Sequence, residues 1–437
     1  MATYPPEQLT VVAEAGWRWV LDQVHGEGAG PAIPGDDGPT GMHSGVGGLV
    51  HALAEIGLVR RWTTEERELA DGIASRVSGG IASSTEPDYF DGLVSDIGVL
   101  TALGTDASAA VARLDELAAD DGWPCDFLQP PAYLPGGRVN DATLGTASVL
   151  LGATWATRHA VPGGRELADR TADLLLAEAE EQPGGLNWRF VPPRFRTSPG
   201  YDMPNWSHGL AGIASVLALA GTELGRPDLV DAAHRGAEHL VTLGDTSDDG
   251  FRVPVQLPRP PDSDNEEFAY GWCHGPSGTS RLFPALALAG VDAVAGEAPV
   301  TWERRCLHSV RNSGLPERLR PGFWDNDGRC CGTVGVGEVF LDAFQRYGDP
   351  DDLAFALRLA DALVDRAFRD GPHAWWRFVE HRNAEPLLPP GVGWMQGAAG
   401  IAAYLFRTAR VVTDGPHAPA VARMDNWWTV PAARPTA

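Results

Sequence analysis

Gly209-Leu210-Ala211-Gly212, which opens the run Ile213-Ala214-Ser215-Val216-Leu217-Ala218-Leu219-Ala220, decides how the rest of the chain is read. A stretch this apolar on every side is a buried helix rather than an amphipathic surface one. The same layout recurs: a small residue, two spacers, a second small residue, then an alanine- and leucine-rich run. The other copies are Gly45-Val46-Gly47-Gly48, Ser95-Asp96-Ile97-Gly98, Gly145-Thr146-Ala147-Ser148, Gly275-Pro276-Ser277-Gly278, Gly332-Thr333-Val334-Gly335 and Gly397-Ala398-Ala399-Gly400. Their starts lie 50, 50, 64, 66, 57 and 65 residues apart, a repeat rather than separate domains.

Between the copies lie charged, amphipathic segments such as Pro6–Gln23, Thr64–Val77, Leu167–Glu181, Leu229–Leu243 and Pro350–Arg369. Seven buried helices alternating with seven amphipathic ones predict an all-α protein, an α/α toroid in which an outer ring of helices shields an inner one. One domain spanning residues 1–437 is expected. Residues 182–205, 245–267 and 370–392 read as long loops, and loops of that length border sites. The glycines allow sharp turns and close approach at the inner helix starts. All seven starts are expected at one end, where unsatisfied N–H groups favour anions such as thiolates or carboxylates.

Composition excludes several function classes. The 437 residues carry 34 basic and 58 acidic side chains, a net charge of −24, which disfavours nucleic acid as a partner. Every basic residue is arginine; no lysine occurs, so P-loop, kinase-lysine and Schiff-base chemistry are excluded. The first ten residues lack the pattern of a signal peptide, and no apolar run approaches the roughly 18 residues of a membrane span. Five cysteines, two of them adjacent, suit a reduced cytoplasmic protein that uses cysteine for metal binding or catalysis.

The two residues before each motif carry the chemistry. They are His43-Ser44, Leu93-Val94, Thr143-Leu144, Ser207-His208, Cys273-His274, Cys330-Cys331 and Met395-Gln396. Three cysteines thus occupy equivalent places in neighbouring repeats, the convergence that a repeat-built metal site requires.

Trp272-Cys273-His274-Gly275, Cys330-Cys331-Gly332 and Ser207-His208-Gly209-Leu210-Ala211-Gly212 resemble the signature motifs of the lanthionine synthetase C-like (LanC-type) cyclases. The resemblance runs over essentially the whole chain. It implies a zinc enzyme that closes thioether rings in a ribosomally made peptide, by adding peptide cysteine to dehydroalanine or dehydrobutyrine. The implied zinc ligands are Cys273, Cys330 and Cys331, the last a cysteine where the family more often has histidine. The implied acid/base is His208, with Asp141 of Asn140-Asp141-Ala142-Thr143-Leu144-Gly145 as the site aspartate. One departure stands out: family members often carry arginine four positions before the first zinc cysteine, and here that position is Ala269. Arg281 is the candidate substitute, while His274 and Trp272 are expected to line the peptide pocket.

The chemistry supports this reading on its own terms. Three protein ligands leave one tetrahedral position of zinc open, the arrangement of a catalytic site. A free thiol, with a pKa of about 8.5, loses its proton on binding the metal. Three cysteinates give the site one more negative charge than two cysteinates and a histidine, which should make an added sulfur more nucleophilic. The enolate left by addition needs a proton at Cα, and histidine titrates in the working range. Asp141 would orient or charge-stabilise the imidazolium.

Each assignment has a plainer counterpart. The cysteines could be buried thiols, a disulfide from Cys273 to one of the pair, or a structural zinc site. His208 could be a packed histidine and Asp141 a helix cap. His43 is read as a rim or structural residue, and Cys125 and Cys306 as packing. Trp206, Trp272, Trp324 and Trp394 precede motifs and are read as aromatic walls or core packing. The leading expectation is a stand-alone cyclase acting on a dehydrated precursor peptide, with dehydration supplied by a separate dehydratase or kinase/lyase enzyme. The competing ones are a LanC-like protein adding glutathione or another small thiol to dehydrated residues, and a non-catalytic zinc scaffold. A toroid glycosidase is disfavoured, because cysteines stand where it would need paired carboxylates.

Overall fold

A computed structural model describes residues 3–27, 30–34, 40–259, 266–317, 326–379 and 387–431. Trp324 falls outside the described residues, as do parts of the segments 245–267 and 370–392. The chain forms two compact units, Met1–Gly80 with Val99–Thr105 and Ser313–Ala437, and Ile81–Gly98 with Asp106–Asn312.

In the second unit the helices Thr146–Arg158 and Leu210–Leu224 are buried almost along their whole length, as their composition requires. Pro276–Thr279 and Leu282–Leu288 form one more buried element, interrupted at Ser280-Arg281. Against these pack the amphipathic helices Gly164–Ala177, Pro227–Leu243 and Pro299–Arg311, each burying one face. Ser108–Leu117 is a further amphipathic helix.

The first unit repeats the scheme. Leu49–Gly57, Thr333–Tyr347 and Ala398–Asp414 are the buried helices, with Pro6–Gln23, Thr64–Gly80 and Pro350–Arg366 as amphipathic partners. Leu93–Ala102, whose residues up to Gly98 count with the second unit, is a seventh buried helix. Among the described residues this gives seven buried elements alternating in sequence with seven amphipathic helices. Short antiparallel hairpins follow three of the latter, at 25–32, 180–187 and 368–375. The Pro-Gly and Gly-Pro pairs Pro183-Gly184 and Gly371-Pro372 supply the turns within the segments read as loops. No described helix is long and apolar enough to cross a membrane.

Five of the seven buried helices start alike among the described residues, and differently from the expectation of bare N–H groups. The first helical amides donate to carbonyls seven residues earlier. Thr146, Ala147 and Ser148 pair with Val139, Asn140 and Asp141; Leu210 and Ala211 with Met203 and Pro204; Thr333 and Val334 with Asn326 and Asp327; Ala398 and Ala399 with Gly391 and Val392. A fold-back turn thus consumes the donors that would otherwise attract anions. It also explains the glycines. A Cβ on Gly209 would overlap the Met203 carbonyl oxygen, and one on Gly212 that of Trp206. Leu93, Val94 and Ser95 make the same bonds to Glu86, Pro87 and Asp88. The second copy is therefore Gly92-Leu93-Val94-Ser95, three residues before the Ser95-Asp96-Ile97-Gly98 read from sequence, and its preceding pair is Phe90-Asp91.

Tryptophan largely serves the scaffold. Indole N–H groups of Trp123, Trp188 and Trp376 donate to the carbonyls of Leu114, Leu175 and Leu363 near helix C-termini, at 2.8, 2.7 and 2.8 Å. Gly209→Ala is expected to destabilise the protein by about 3 kcal/mol, the upper end of overpacking costs, because the obstacle is backbone. Gly79→Ala, where nothing lies within 4 Å, should change stability by less than about 1 kcal/mol. Paired denaturant titrations measure the contrast.

Candidate functional site

The chemistry-bearing residues sit on the fold-back turns. Asp141, four residues before Gly145, is fully buried. Its Oδ1 accepts the Leu144 N–H at 2.7 Å, while its Oδ2 lies 2.7 Å from His208 Nδ1 and accepts the Thr143 hydroxyl at 3.2 Å. The capping and the histidine-pairing readings are thus both realised, one per oxygen. This bond fixes Nδ1–H as the donor and leaves Nε2 for chemistry. The His208 side chain keeps 19% of its surface exposed.

Asn205 occupies the matching place, four residues before Gly209, and its Oδ1 accepts the His208 backbone N–H at 3.0 Å. Thr143 locks the two turns together, its hydroxyl 3.0 Å from the Ser207 carbonyl oxygen. Ser207 N–H in turn donates to the Cys273 carbonyl at 3.0 Å. The His208 ring then lies 5.1 Å from that of half-buried His274 and 5.8 Å, edge-on, from that of Phe190 in the 182–205 segment. Thr143 and Ser207 belong to the residue pairs read before the motifs, without a role given to either, and Asn205 was not singled out from sequence. Their signal was the fixed offset from the glycine.

Asp88 is a third residue at that offset and accepts the Phe90 and Asp91 N–H groups at 2.8 and 2.9 Å. Burial raises its pKa, and the negative charge of Asp141 adds to this. Burial, with a smaller contribution from Asp88, pushes Asp96 up to about 8. Burial and the Asp141 charge also push Cys125 up to about 12, so it remains a thiol at neutral pH. Cys125 packs with Leu128, Val139 and Val191, the packing role read from sequence.

Cys330 and Cys331 sit together on one turn of the first unit, their sulfurs 3.3 Å apart, and Cys273 holds the equivalent place before its glycine in the second. All three residues are buried, and none of the five cysteines forms a disulfide. Tetrahedral zinc with Zn–S bonds of about 2.3 Å places its sulfurs roughly 3.8 Å apart, a spacing the Cys330–Cys331 pair approaches. An all-sulfur set of three also has the softness zinc accepts. The donors therefore fit zinc.

Two residues expected at the peptide pocket are interior ones. Trp272 has no exposed surface and packs against Trp206 and Tyr89, with ring centroids 4.8 and 6.4 Å away. Arg281 is 2% exposed, at the break between Pro276–Thr279 and Leu282–Leu288. Neither offers a peptide a surface. The arginine that touches the stretch around Ala269 is instead Arg252, whose guanidinium lies 4.2 Å over Phe268 and donates to the Tyr270 hydroxyl at 2.8 Å.

The sequence matches the family described as lanthionine synthetase C-like protein over residues 36–413. The chain belongs to the lanthionine synthetase C-like family. Among solved structures it resembles nisin cyclase, at 14% identity and a TM-score of 0.57, covering 85% of this chain and 88% of that one. A weaker likeness is to cellobiose 2-epimerase from Spirochaeta thermophila, at 13% identity and a TM-score of 0.48, covering 93% and 97%. No curated protein sequence matches significantly. The fold of this LanC-like chain is the α/α toroid read from its repeats.

The raised pKa of Asp96 has a thermodynamic consequence. Its folded value lies above the unfolded one near 4, so folding takes up a proton between the two. Stability is lost as pH climbs from about 4 towards about 8 and the loss is complete above that. Asp96→Asn is therefore expected to leave Tm nearly unchanged near pH 4 and to raise it by several degrees near pH 8.5, as thermal melts at the two pH values would reveal.

Proposed function

We propose that this LanC-like protein is a zinc-dependent cyclase that joins a peptide cysteine to dehydroalanine or dehydrobutyrine, forming lanthionine or methyllanthionine. The observation that carries the reading is a histidine held by a carboxylate, on a turn bonded to that of Cys273, in a chain whose three buried motif cysteines share equivalent places before the glycines. Cys273, Cys330 and Cys331 would hold the ion. When bound, zinc on three cysteinates supplies an open fourth position and the positive charge that lowers the pKa of a thiol.

The remaining steps belong to the protein. Sulfur attacks Cβ of the dehydrated residue, the C–S bond forms, and the C=C π electrons move towards the carbonyl. His208, protonated at Nε2, delivers the proton to Cα. Asp141 keeps Nδ1–H in place and balances the imidazolium charge. The thiol proton recharges the histidine, so the cycle consumes no external acid or base. Leu144 N–H and the Thr143 hydroxyl hold Asp141, so the pair needs little reorganisation during turnover. His274, against the His208 ring, would line the peptide channel. The substrate would be a precursor peptide dehydrated by a separate dehydratase or kinase/lyase, in the cytoplasm.

Purified protein is expected to carry one zinc per chain by metal analysis. Incubated with a dehydrated, cysteine-containing peptide, it should remove the alkylatable thiol without changing peptide mass. A gain of one thiol mass from added glutathione would instead assign external thiol addition, and zinc without turnover would assign a scaffold. His208→Asn should keep zinc and slow ring closure by about 10²–10⁴-fold, the range for lost general acid–base catalysis. Cys331→His should keep zinc but cyclise more slowly, the loss of one ligand charge being read in single-turnover rates.

A further inference from the structure

The segment that follows the last buried helix of the first unit is itself buried. Arg423, Asp425, Asn426 and Thr429 are all no more than 3% exposed. Two of them pair with buried helices of the same unit. Arg423 reaches Glu338 at 3.1 Å and Glu55 at 3.7 Å, while the Thr429 hydroxyl donates to Asp342 at 2.7 Å. Asp425 does something else. Its Oδ2 accepts from Arg329 Nη2 at 2.6 Å, and Arg329 immediately precedes Cys330 in sequence.

Arg329 is fully buried and held on every side. Its Nε donates to Glu338 at 2.7 Å, its Nη1 lies 3.3 Å from Met395 Sδ, and its guanidinium sits 5.3 Å over the Trp394 ring. The backbone N–H groups of Arg329 and Cys330 both donate to the Met395 carbonyl, at 2.7 and 2.9 Å. Charges balance: Arg329, Arg410 and Arg423 face Glu55, Glu338 and Asp425, three against three. Arg329 is therefore no spare cation for catalysis. Its guanidinium is a fixed peg on the turn that carries two of the three sulfurs.

We propose that Asp425 is a positioning residue for the metal site: it clamps Arg329 from inside the unit and thereby sets the Cys330-Cys331 turn. The inference rests on the zinc reading above for its metal arm alone. A carboxylate one step removed from a ligand acts on affinity by restricting where the ligand can go, and such outer partners are worth about 10–100-fold in metal binding.

The test compares two variants that each cripple a buried ion pair of the same unit. Asp425→Asn breaks the clamp. Asp342→Asn weakens the Arg407–Asp342 pair, 2.6 Å long, and the Thr429 bond, neither of which touches the turn, so it also controls for loosening of the segment that carries Asp425. Two quantities are measured: zinc affinity by chelator competition, and alkylation rates of Cys330 and Cys331 in metal-free protein, with buried Cys306 as internal reference. Asp425→Asn is expected to weaken zinc about 10-fold and to speed alkylation at Cys330 and Cys331, relative to Cys306, by a similar factor. Asp342→Asn should lower Tm yet leave both quantities within about twofold of wild type.

Should Asp425→Asn not fold, Arg329→Met with Asp425→Leu removes both charges and tests the same clamp, since apolar replacement of a buried pair is tolerated. Unchanged affinity and alkylation in the clamp variants, or an equal effect of Asp342→Asn, overturns the proposal. Wild type that binds no zinc overturns the metal reading instead, and the alkylation rates still decide the clamp.

Discussion

The structure depends on how a buried helix begins. A helix surrounded by apolar side chains has no water at its N-terminus, so its first amides need partners from the protein. This chain supplies them by doubling back, with carbonyls seven residues upstream accepting the helix's first N–H groups. The bonds pull the turn so close that a side chain on the glycine would strike the carbonyl six residues before it. Glycine, the turn and the buried helix are one requirement seen at three levels.

The site follows from repeating that turn. Position four before the glycine carries an acceptor that closes the turn, and the two positions before the glycine are the last residues outside the helix. Asp141 uses the first kind of place and His208, Cys273, Cys330 and Cys331 the second. The acceptor's spare oxygen and the neighbouring turn's histidine then meet with no further design. Thr143, bonded to both turns, makes their spacing a property of the scaffold.

Much of this was legible because the repeat is written in residue types that admit few explanations. Glycine pairs ahead of apolar runs pointed to buried helices. Cysteines at equivalent offsets, 57 residues apart, pointed to a shared role, and Cys330 and Cys331 do sit sulfur to sulfur on one turn. What sequence could not reveal was depth. Trp272 and Arg281 lie near motif residues yet face the interior, and nothing in their spacing distinguishes a pocket wall from core. The second copy was misplaced by three residues because Ser95 and Gly92 are both small. Only the carbonyl partners of Leu93 to Ser95 tell them apart. The role of Asp425, almost a hundred residues from Arg329, left no local trace at all.

Asp141 divides its two oxygens between a backbone amide and an imidazole. Selection for folding and selection for turnover therefore act on the same atom pair. A descendant that had abandoned chemistry would still be pressed to keep an acceptor at that position, as Asn205 and Asp88 are kept in theirs. An aspartate there is consequently poor testimony of an active enzyme; a histidine placed to take up its second oxygen is the more discriminating mark.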